Sequence, residues 1–258
     1  IFAGLKYLVV GGDVVSVHHI NCLKQGNPAV KIIHAYGPTE NTTFSTTYRV
    51  QQPEGEEIPI GKPIANSTAY IVGPHGHLQP IGVVGELGVG GDGLARGYMN
   101  NPELTAEKFI DYYFYRSYRS HRSYISRKLY RTGDKARWCP DGNILFQGRM
   151  DRQVKIRGYR VELGEIENHL NSHPQVRESV VEVREAGEKY LCAYVVTEGQ
   201  IEAAELKEYL GGRVPGFMVP GFFVRLEKIP LTSNGKVDRG ALPALGQEGG
   251  CRYMAPRD

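Results

Sequence analysis

The chain has 258 residues, of which 41% are hydrophobic and 23% are charged, and its formal net charge is +3 at pH 7. These values are those of an ordinary soluble globular protein, long enough for one large or two modest domains. No apolar run approaches the roughly 18 residues that a membrane-spanning helix needs, and no basic-then-apolar leader opens the chain. We therefore expect a cytoplasmic protein.

The four cysteines are widely scattered along the chain and include no Cys-x-x-Cys pair; they are Cys22, Cys139, Cys192 and Cys251. No histidine lies at metal-ligand spacing from any of them. We expect reduced, structural thiols.

Two stretches near the start of the chain predict buried strands that end in turns. The first, LKYLVVGGD, runs into the pair Gly11-Gly12, and the second reaches Gly37-Pro38 within HAYGPTE. The second turn would leave three side chains together at the end of its strand, namely Tyr36, Thr39 and Glu40. An aromatic ring, a hydroxyl and a carboxylate suit a nucleotide with magnesium, although a turn beside a core tyrosine would explain each residue singly.

Residues 58–98 consist of short strand-like runs separated by Gly and Pro, which predicts a small barrel or a twisted sheet. Gly88, Gly90 and Gly93 have the spacing of a dinucleotide-binding loop, but no helix opens there. The next helix is predicted to follow Asn101, with Asn as its cap and Pro at its first position. We therefore assign the three glycines to strand bending or close backbone packing.

Residues 112–128 interleave Tyr with Arg, and residues 112–133 hold six Lys or Arg and no acid. We interpret 112–128 as a solvated, partly mobile loop between a helix and a strand. Binding of single-stranded nucleic acid is the alternative that the tyrosines and arginines leave open.

The stretch from residue 130 to residue 158 combines strand-like runs with polar groups that have specific uses. Asp134 follows the turn dipeptide Thr132-Gly133 and can accept hydrogen bonds from both hydroxyls of a ribose. Asp141-Gly142 predicts a hairpin. The character of the chain changes after Asp151, which we interpret as a domain boundary.

After Asp151 the chain predicts a small α+β domain with the order βαββαβ. Its predicted strands cover 153–157, 176–184, 190–197 and 222–227, and its predicted helices cover 163–171 and 202–211. Leu163, Ile166 and Leu170 would form the buried face of the first helix. Near the end, Asn234-Gly235 predicts a tight turn that presents Lys236. From the local sequence alone, we interpret Lys236 as a solvated surface residue.

Five motifs in the family's order make this chain resemble the amino-acid adenylation domains of nonribosomal peptide synthetases, within the adenylate-forming superfamily. They are HAYGPTE (34–40), GELGVGGDGLARGYMNNPELTAEKF (85–109), YRTGDKARW (130–138), GRMDRQVKIRGYRVELGEIE (148–167) and PLTSNGKVDR (230–239). The resemblance implies α/β and α+β architecture in three parts. These are a C-terminal portion of the large subdomain with the end of a parallel sheet and a small distorted β-barrel (1–150), a small mobile subdomain (151–245) and a linker towards a carrier domain (246–258).

The implied reaction is adenylation of an amino acid by ATP with Mg²⁺, followed by thioester formation on the phosphopantetheine of a peptidyl carrier domain. A condensation domain of the same synthetase would be the other neighbour, and neither nucleic acid nor membrane is an implied partner. The superfamily's phosphate loop would lie upstream of Ile1, so we expect about the second half of a domain that is incomplete as an enzyme by itself.

The resemblance assigns roles to individual positions. Around the nucleotide it implies that adenine stacks on Tyr36 and that Asp134 binds the ribose. Thr39 would contact the α-phosphate, and Glu40 would ligate magnesium. The other contacts with the nucleotide, some of them to the base, would be Gly11, Gly12, Asp13, His34, Phe146 and Arg149. Lys236 would bridge the substrate carboxylate and the α-phosphate. Asp151 would be a hinge about which the small domain rotates, exchanging Lys236 for the loop formed by Arg157, Gly158, Tyr159 and Arg160.

The same resemblance implies a pocket for the substrate side chain, lined by Val9, Gly11, Ala35, Thr43 and Phe44. Apolar walls with Phe44 as a bulky floor favour a branched aliphatic amino acid such as valine or isoleucine. Two alternatives stay open: another adenylate-forming ligase, such as a D-alanine carrier-protein ligase or an acyl-CoA synthetase, and a non-catalytic fragment of a megasynthase.

Overall fold

The computed structural model describes residues 4–51, 57–117 and 122–244. The chain divides into two compact units, Ile1–Asp151 and Arg152–Asp258. The first unit is α/β with mixed and antiparallel sheets, and the second is α+β, so the predicted fold class is confirmed. The functional assignment of the units and the hinge role of Asp151 stay predictions.

A four-stranded mixed sheet opens the first unit, with the order β1-β2-β3-β4. Its elements are β1 (Tyr7–Gly11), α1 (Val17–Gly26), β2 (Lys31–Tyr36), β3 (Thr46–Val50) and β4 (Lys62–Pro63). β1 and β2 are parallel and are joined through α1, because parallel neighbours need a crossover connection. The other pairs are antiparallel. The core under this sheet consists of Ile20, Val30, Ile32, Val50 and Ile58.

β1 differs from its prediction as a buried strand. Tyr7 is 57% exposed and Val9 is 53% exposed, whereas Ile32 and Ala35 of β2 are buried. β1 is an edge strand of the described sheet, so it has a packed neighbour on one side only. A continuous apolar run is typical of a strand covered on both faces, and within the described residues β1 is not covered in that way.

Five antiparallel strands form the second sheet of this unit, and they form an open sheet rather than the predicted small distorted barrel. The elements are β5 (Ser67–Val72), β6 (Gly85–Gly91), α2 (Pro102–Lys108), β7 (Phe109–Ser117), β8 (Arg122–Trp138) and β9 (Ile144–Arg149). The order is β5-β6-β8-β7, and β9 also pairs with β8. Ile71, Leu87, Val89, Tyr130 and Ile144 lie in its core.

The Tyr- and Arg-rich segment is a β-hairpin, and its prediction as a solvated loop is wrong for the described residues. β7 and β8 pair continuously from Phe109 opposite Tyr130 to Ser117 opposite Arg122, and residues 118–121 lie outside the description. Tyrosine and phenylalanine favour strands, and residues 112–115 are all aromatic. The prediction of a loop gave the positive charge more weight than this strand propensity.

The glycines of the rejected dinucleotide motif do serve close packing. A Cβ on Gly90 would lie 2.7 Å from the carbonyl oxygen of Lys128, and one on Gly93 would lie 3.2 Å from that of Asn41. The next helix, α2, begins at Pro102, and the side chain of Asn101 accepts a hydrogen bond from the Leu104 amide at 3.0 Å. The predicted helix start is therefore confirmed.

The second unit contains the predicted elements and one additional strand. Its elements are β10 (Gln153–Ile156), β11 (Tyr159–Glu162), α3 (Leu163–Asn171), β12 (Val176–Ala186), β13 (Glu188–Thr197), α4 (Ala203–Gly211) and β14 (Phe222–Arg225). β11 forms a hairpin with β10, and β12-β13-β14 form a three-stranded sheet. Leu163, Ile166 and Leu170 are buried as predicted.

No helix in the described part of the chain has the length and apolarity needed to cross a membrane. Cys22, Cys139 and Cys192 are thiols rather than half-cystines, and Cys251 lies outside the described residues.

Candidate active site

The turn after β2 folds back tightly on the end of the strand. A Cβ on Gly37 would lie 2.6 Å from the carbonyl oxygen of Thr43, so only glycine fits there without a shift of backbone. Thr42 and Thr43 have φ values of +44° and +64°, and the Ser45 amide donates to the Tyr36 carbonyl at 2.8 Å. This closed loop fixes the 3₁₀ turn Thr39–Asn41 directly beside Tyr36.

The Glu40 carboxylate is buried and held by two tyrosines. The hydroxyl of Tyr98 donates to Oε1 at 2.6 Å, and the hydroxyl of Tyr130 donates to the same oxygen at 2.9 Å. Thr39, in the same turn, is exposed. Both tyrosines lie within motifs quoted above, but neither their spacing nor their surroundings in the sequence indicates a contact with Glu40.

The carboxyl ends of the parallel strands β1 and β2 meet at one edge of the first sheet. Gly11 lies opposite Ala35, and a Cβ on Gly11 would fall 2.1 Å from the Ala35 carbonyl oxygen. Gly12 follows with a φ of +90°. The Asp13 carboxylate accepts a hydrogen bond from the Val14 amide at 2.7 Å. In open α/β sheets, this edge is where ligands bind.

Asp134 lies in β8 and is almost fully buried. The Thr132 hydroxyl donates to the Leu87 carbonyl at 2.7 Å and accepts from the Asp134 amide at 3.0 Å, while Gly133 has a φ of +72°. The hydroxyl of Tyr36 donates to Oδ2 of Asp134. Burial and the neighbouring Asp134 carboxylate raise the pKa of Tyr36, so this hydroxyl stays a donor.

Arg149 connects two carboxylates of the site. Its Nη1 donates to Oδ1 of Asp134 at 2.7 Å, and its Nε and Nη2 donate to the two oxygens of Asp151 at 2.7 and 2.5 Å. Tyr36, Asp134, Arg149 and Asp151 thus form one continuous network. The sequence predicted each of these residues, but not the bond between Tyr36 and Asp134.

His34 and Phe146, the other expected base contacts, are found in different surroundings. His34 is buried, and its Nδ1 lies 2.8 Å from the carbonyl oxygen of Pro59, to which it donates. Phe146 is half-buried against the core of the second sheet. Contact of either residue with adenine stays a prediction.

The residues of the expected substrate pocket fall into two neighbouring groups. Gly11 and Ala35 are paired across β1 and β2. Thr43 and Phe44 are exposed and lie close to Gly37. Val9 lies on β1, two residues before Gly11, and is exposed as well. A pocket closed by these five residues stays a prediction.

Lys236 lies on the predicted tight turn of the second unit and is exposed. The Gly235 amide donates to the Thr232 carbonyl at 2.9 Å, and the Thr232 amide donates to the Lys236 carbonyl at 2.7 Å. Leu231 and Val237 form an isolated bridge that closes the turn. The Asn-Gly signal is confirmed, because Gly235 has a φ of +75°.

The expected thioester-step loop is the turn between β10 and β11. Arg157 and Gly158 have φ values of +52° and +82°, as in the two-residue turns that match the twist of a hairpin. The Tyr159 ring stacks on Phe217 with centroids 4.3 Å apart, and Arg157 lies 3.0 Å from the Glu188 carboxylate. Arg160 lies opposite Lys155 in the hairpin.

The donor set around Glu40 fits magnesium in one specific way. No group of three His, Cys, Asp or Glu suited to a metal ion occurs in residues 4–51, 57–117 and 122–244. Mg²⁺ is commonly held by one or two carboxylates together with substrate phosphates rather than by a complete protein cage. A single glutamate, such as Glu40, is compatible with that mode.

Two family models match this chain. Residues 1–99 match the family model of the AMP-binding enzymes, and residues 165–236 match that of the AMP-binding enzyme C-terminal domain. The chain belongs to the AMP-binding enzyme family. The five motifs predicted a resemblance to nonribosomal peptide synthetase adenylation domains. Both family matches support that resemblance, and the relatives of the chain confirm it.

The relatives of this family member include very long synthetases. The chain is 57% identical over 94% of its length to tyrocidine synthase 3 of Brevibacillus parabrevis, and 52% identical over 99% of its length to gramicidin S synthase 2 of Brevibacillus brevis. It spans 4% and 6% of those two proteins. Among solved structures, PA1221, an NRPS protein containing adenylation and PCP domains, has a TM-score of 0.79 and 35% identity, covering 93% of this chain and 40% of that one.

Proposed function

We propose that this chain is part of an enzyme that adenylates an amino acid with ATP and then transfers the aminoacyl group to a carrier-domain thiol. The convergence of Tyr36, Asp134 and Arg149 beside Glu40, in an AMP-binding enzyme, is the observation that carries the proposal. The identity with tyrocidine synthase 3 favours an amino acid over other acids as the substrate.

The nucleotide would bind at the carboxyl edge of β1 and β2. Adenine would stack on the Tyr36 ring, with the Gly11–Asp13 backbone on the other side, where the absence of side chains at Gly11 and Gly12 permits close approach. Asp134 would accept the ribose hydroxyls. A carboxylate has about four lone-pair sites, so it can do this while it keeps its bonds from Tyr36 and Arg149.

The adenylation step would depend on charge neutralisation and alignment. One oxygen of the amino-acid carboxylate attacks the α-phosphorus, and the bond from that phosphorus to pyrophosphate breaks. The carboxylate is already a nucleophile at neutral pH, so no general base is needed. Thr39 would donate to the α-phosphate, and Lys236 would bring one positive charge to both the carboxylate and the phosphate.

Glu40 would hold Mg²⁺, which when bound would offset the charge that develops on the phosphates. In the second step the phosphopantetheine thiol of a carrier domain would attack the acyl carbon of the aminoacyl adenylate, so that a C–S bond forms, the bond from that carbon to the phosphate oxygen breaks, and AMP and the thiol proton leave. The exposed turn from Arg157 to Arg160 would serve this step. Asp151 would be the hinge about which the small subdomain rotates between adenylation and thioester formation. A peptidyl carrier domain and a condensation domain would be the partners, and the cytoplasm the location.

The side-chain pocket would be lined by Val9, Gly11, Ala35, Thr43 and Phe44. Its apolar walls would favour valine or isoleucine, and competition among valine, leucine and phenylalanine in the adenylation assay tests this choice. A preference for phenylalanine would overturn it, because the Phe44 ring would then have to leave the floor of the pocket.

The experiment that tests the function compares the two half-reactions in the full-length protein that carries this chain. Wild-type protein should exchange pyrophosphate into ATP in the presence of one amino acid. Lys236→Ala should lower that exchange by about 100-fold or more, because a preorganised charge is lost, but should still form thioester from a supplied aminoacyl adenylate.

Lys228→Ala is the matched control, because Lys228 is another exposed lysine of the same unit and should leave both half-reactions unchanged. Equal loss of both half-reactions in Lys236→Ala would contradict the assigned role. No exchange with any amino acid, from a protein that binds ATP, would instead indicate an acyl or aryl acid substrate.

A further inference from the structure

Two tyrosine hydroxyls meet on one oxygen of a carboxylate that the proposed function uses. Tyr98 lies between β6 and α2, and Tyr130 lies in β8, yet both donate to Oε1 of Glu40, at 2.6 and 2.9 Å. Their hydroxyl oxygens are 3.3 Å apart. The two bonds approach one oxygen from two different elements, so they restrain rotation of the carboxylate about its Cγ–Cδ bond.

Both rings are themselves fixed by packing. Phe109 contacts the Tyr98 ring edge-on with centroids 5.6 Å apart and the Tyr130 ring at 5.1 Å. Tyr130 is 1% exposed. The Tyr98 amide donates to the Thr105 hydroxyl at 2.9 Å, which ties the backbone of this residue to α2. The phenols are therefore placed before any ligand arrives, which is the condition for a positioning role.

The backbone of the same loop also holds the turn that carries Glu40. The Ala95 amide donates to the Glu40 carbonyl at 2.8 Å, and the Thr42 hydroxyl donates to the Gly93 carbonyl at 2.6 Å. Main chain and side chain of Glu40 are thus both anchored by the segment from Gly93 to Tyr98.

We propose that Tyr98 and Tyr130 are positioning residues that aim the Glu40 carboxylate at a divalent cation. This inference rests on the proposed function, in which Glu40 holds magnesium. A phenol is a neutral donor, so it fixes the carboxylate without cancelling the negative charge that attracts the cation.

The test measures the dependence of ATP–pyrophosphate exchange on magnesium concentration in full-length protein. Tyr98→Phe and Tyr130→Phe should each raise the magnesium concentration needed for half-maximal exchange by about tenfold, as is typical when a group behind a metal ligand is removed. The KM for the amino acid should not change. Tyr112→Phe is the matched control, because its hydroxyl donates to the Gly76 carbonyl at 2.5 Å in the same sheet.

A second readout does not need turnover: the affinity for Mn²⁺ in the presence of ATP, measured by electron paramagnetic resonance. Weaker Mn²⁺ binding in Tyr98→Phe and Tyr130→Phe, but not in Tyr112→Phe, is the expected result. Variants that unfold more easily yet keep the wild-type dependence on both metals would show a structural role only and would overturn the inference.

The two proposals fail in different ways. If wild-type protein shows no exchange with any amino acid but the tyrosine variants still weaken Mn²⁺ binding, the proposed reaction is wrong and the positioning role stands. If wild-type protein is active and Glu40→Gln weakens the metal while both tyrosine variants match the wild type, the positioning role is wrong and the reaction stands.

Discussion

Replacing Arg149 with methionine should destabilise the first unit by about 3 kcal/mol, because the substitution leaves the Asp134 carboxylate buried without its cation. Arg149 donates to Asp134 at 2.7 Å and also pairs with Asp151. Methionine keeps an unbranched, flexible stem in place of the arginine stem but has no guanidinium, so the change removes mainly the charge and its hydrogen bonds.

The magnitude follows from the burial of the pair. The side chains of Arg149 and Asp134 are 15% and 9% exposed. Unit charges about 4 Å apart attract by about 4 kcal/mol at an effective dielectric constant of about 20, and loss of one partner of a buried pair costs about 3–5 kcal/mol. The lower end applies because Tyr36 still donates to Asp134. The Asp151 side chain is 40% exposed, so its pair should contribute at most about 1 kcal/mol.

Urea unfolding, followed by tryptophan fluorescence, measures this difference in unfolding free energy for the first unit. The single tryptophan, Trp138, lies in β8 and so reports the first unit alone. With an m-value of about 2 kcal/mol/M, Arg149→Met should lower the midpoint by about 1.5 M, and the control Asp151→Asn by at most about 0.5 M. Adding Asp134→Asn to Arg149→Met should recover part of the loss. A midpoint close to wild type for Arg149→Met, or no recovery in the double variant, would refute the argument.

Three other substitutions test backbone strain and tyrosine ionisation. Gly61→Ala should cost about 2 kcal/mol or more and Gly12→Ala about 1 kcal/mol in the same fluorescence assay. Both residues have positive φ, but a Cβ at Gly61 would lie 1.9 Å from the Thr47 carbonyl oxygen, whereas at Gly12 no described atom comes within 4 Å. Burial raises the pKa of Tyr194 to about 12. The difference in tyrosinate absorbance between wild type and Tyr194→Phe should therefore appear near pH 12 rather than near pH 10.

The sign of the Tyr194 effect on stability follows from proton binding. Above pH 10 an unfolded tyrosine loses its proton while the folded one keeps it, so stability present below pH 10 is lost as the pH rises towards 12, by up to about 1.4 kcal/mol per unit. Circular dichroism of wild type and Tyr194→Phe measures it. A tyrosinate difference that titrates near pH 10 would contradict this reasoning. Equal losses of stability in Gly61→Ala and Gly12→Ala would contradict the steric argument for the two glycines.

Local signals in the sequence predicted local structure well. Leu163, Ile166 and Leu170 recur at helical spacing, and the structure buries all three on α3. The turns at Gly37-Pro38 and Asn234-Gly235 follow from backbone preferences that belong to the residues themselves. These turns also expose Lys236 and bring Glu40 beside Tyr36, so the parts of the candidate site that depend on turn chemistry were within reach of the sequence.

Features that depend on neighbouring strands of a sheet were not predicted by local signals in the sequence. The apolar run of β1 has the composition of a buried strand, but exposure is decided by what lies beside it, and Val9 is 53% exposed at the sheet edge. β11 is not among the predicted strands, and the reason is its turn, because Arg157 and Gly158 together adopt the positive φ values of a hairpin turn. Arginine gives no signal for that conformation.

The contacts that organise the candidate site join residues far apart in the chain, and this separation is why spacing could not predict them. Tyr36 and Asp134 are 98 residues apart, and Glu40 and Tyr130 are 90 residues apart. One pair joins the last residue of β2 to β8 and the other joins the turn after β2 to β8, so the positions of all four groups depend on the packing of two sheets. A motif can name the carboxylates, but only that packing determines which hydroxyls hold them, and the choice of donor decides whether each carboxylate keeps its full charge for a ligand.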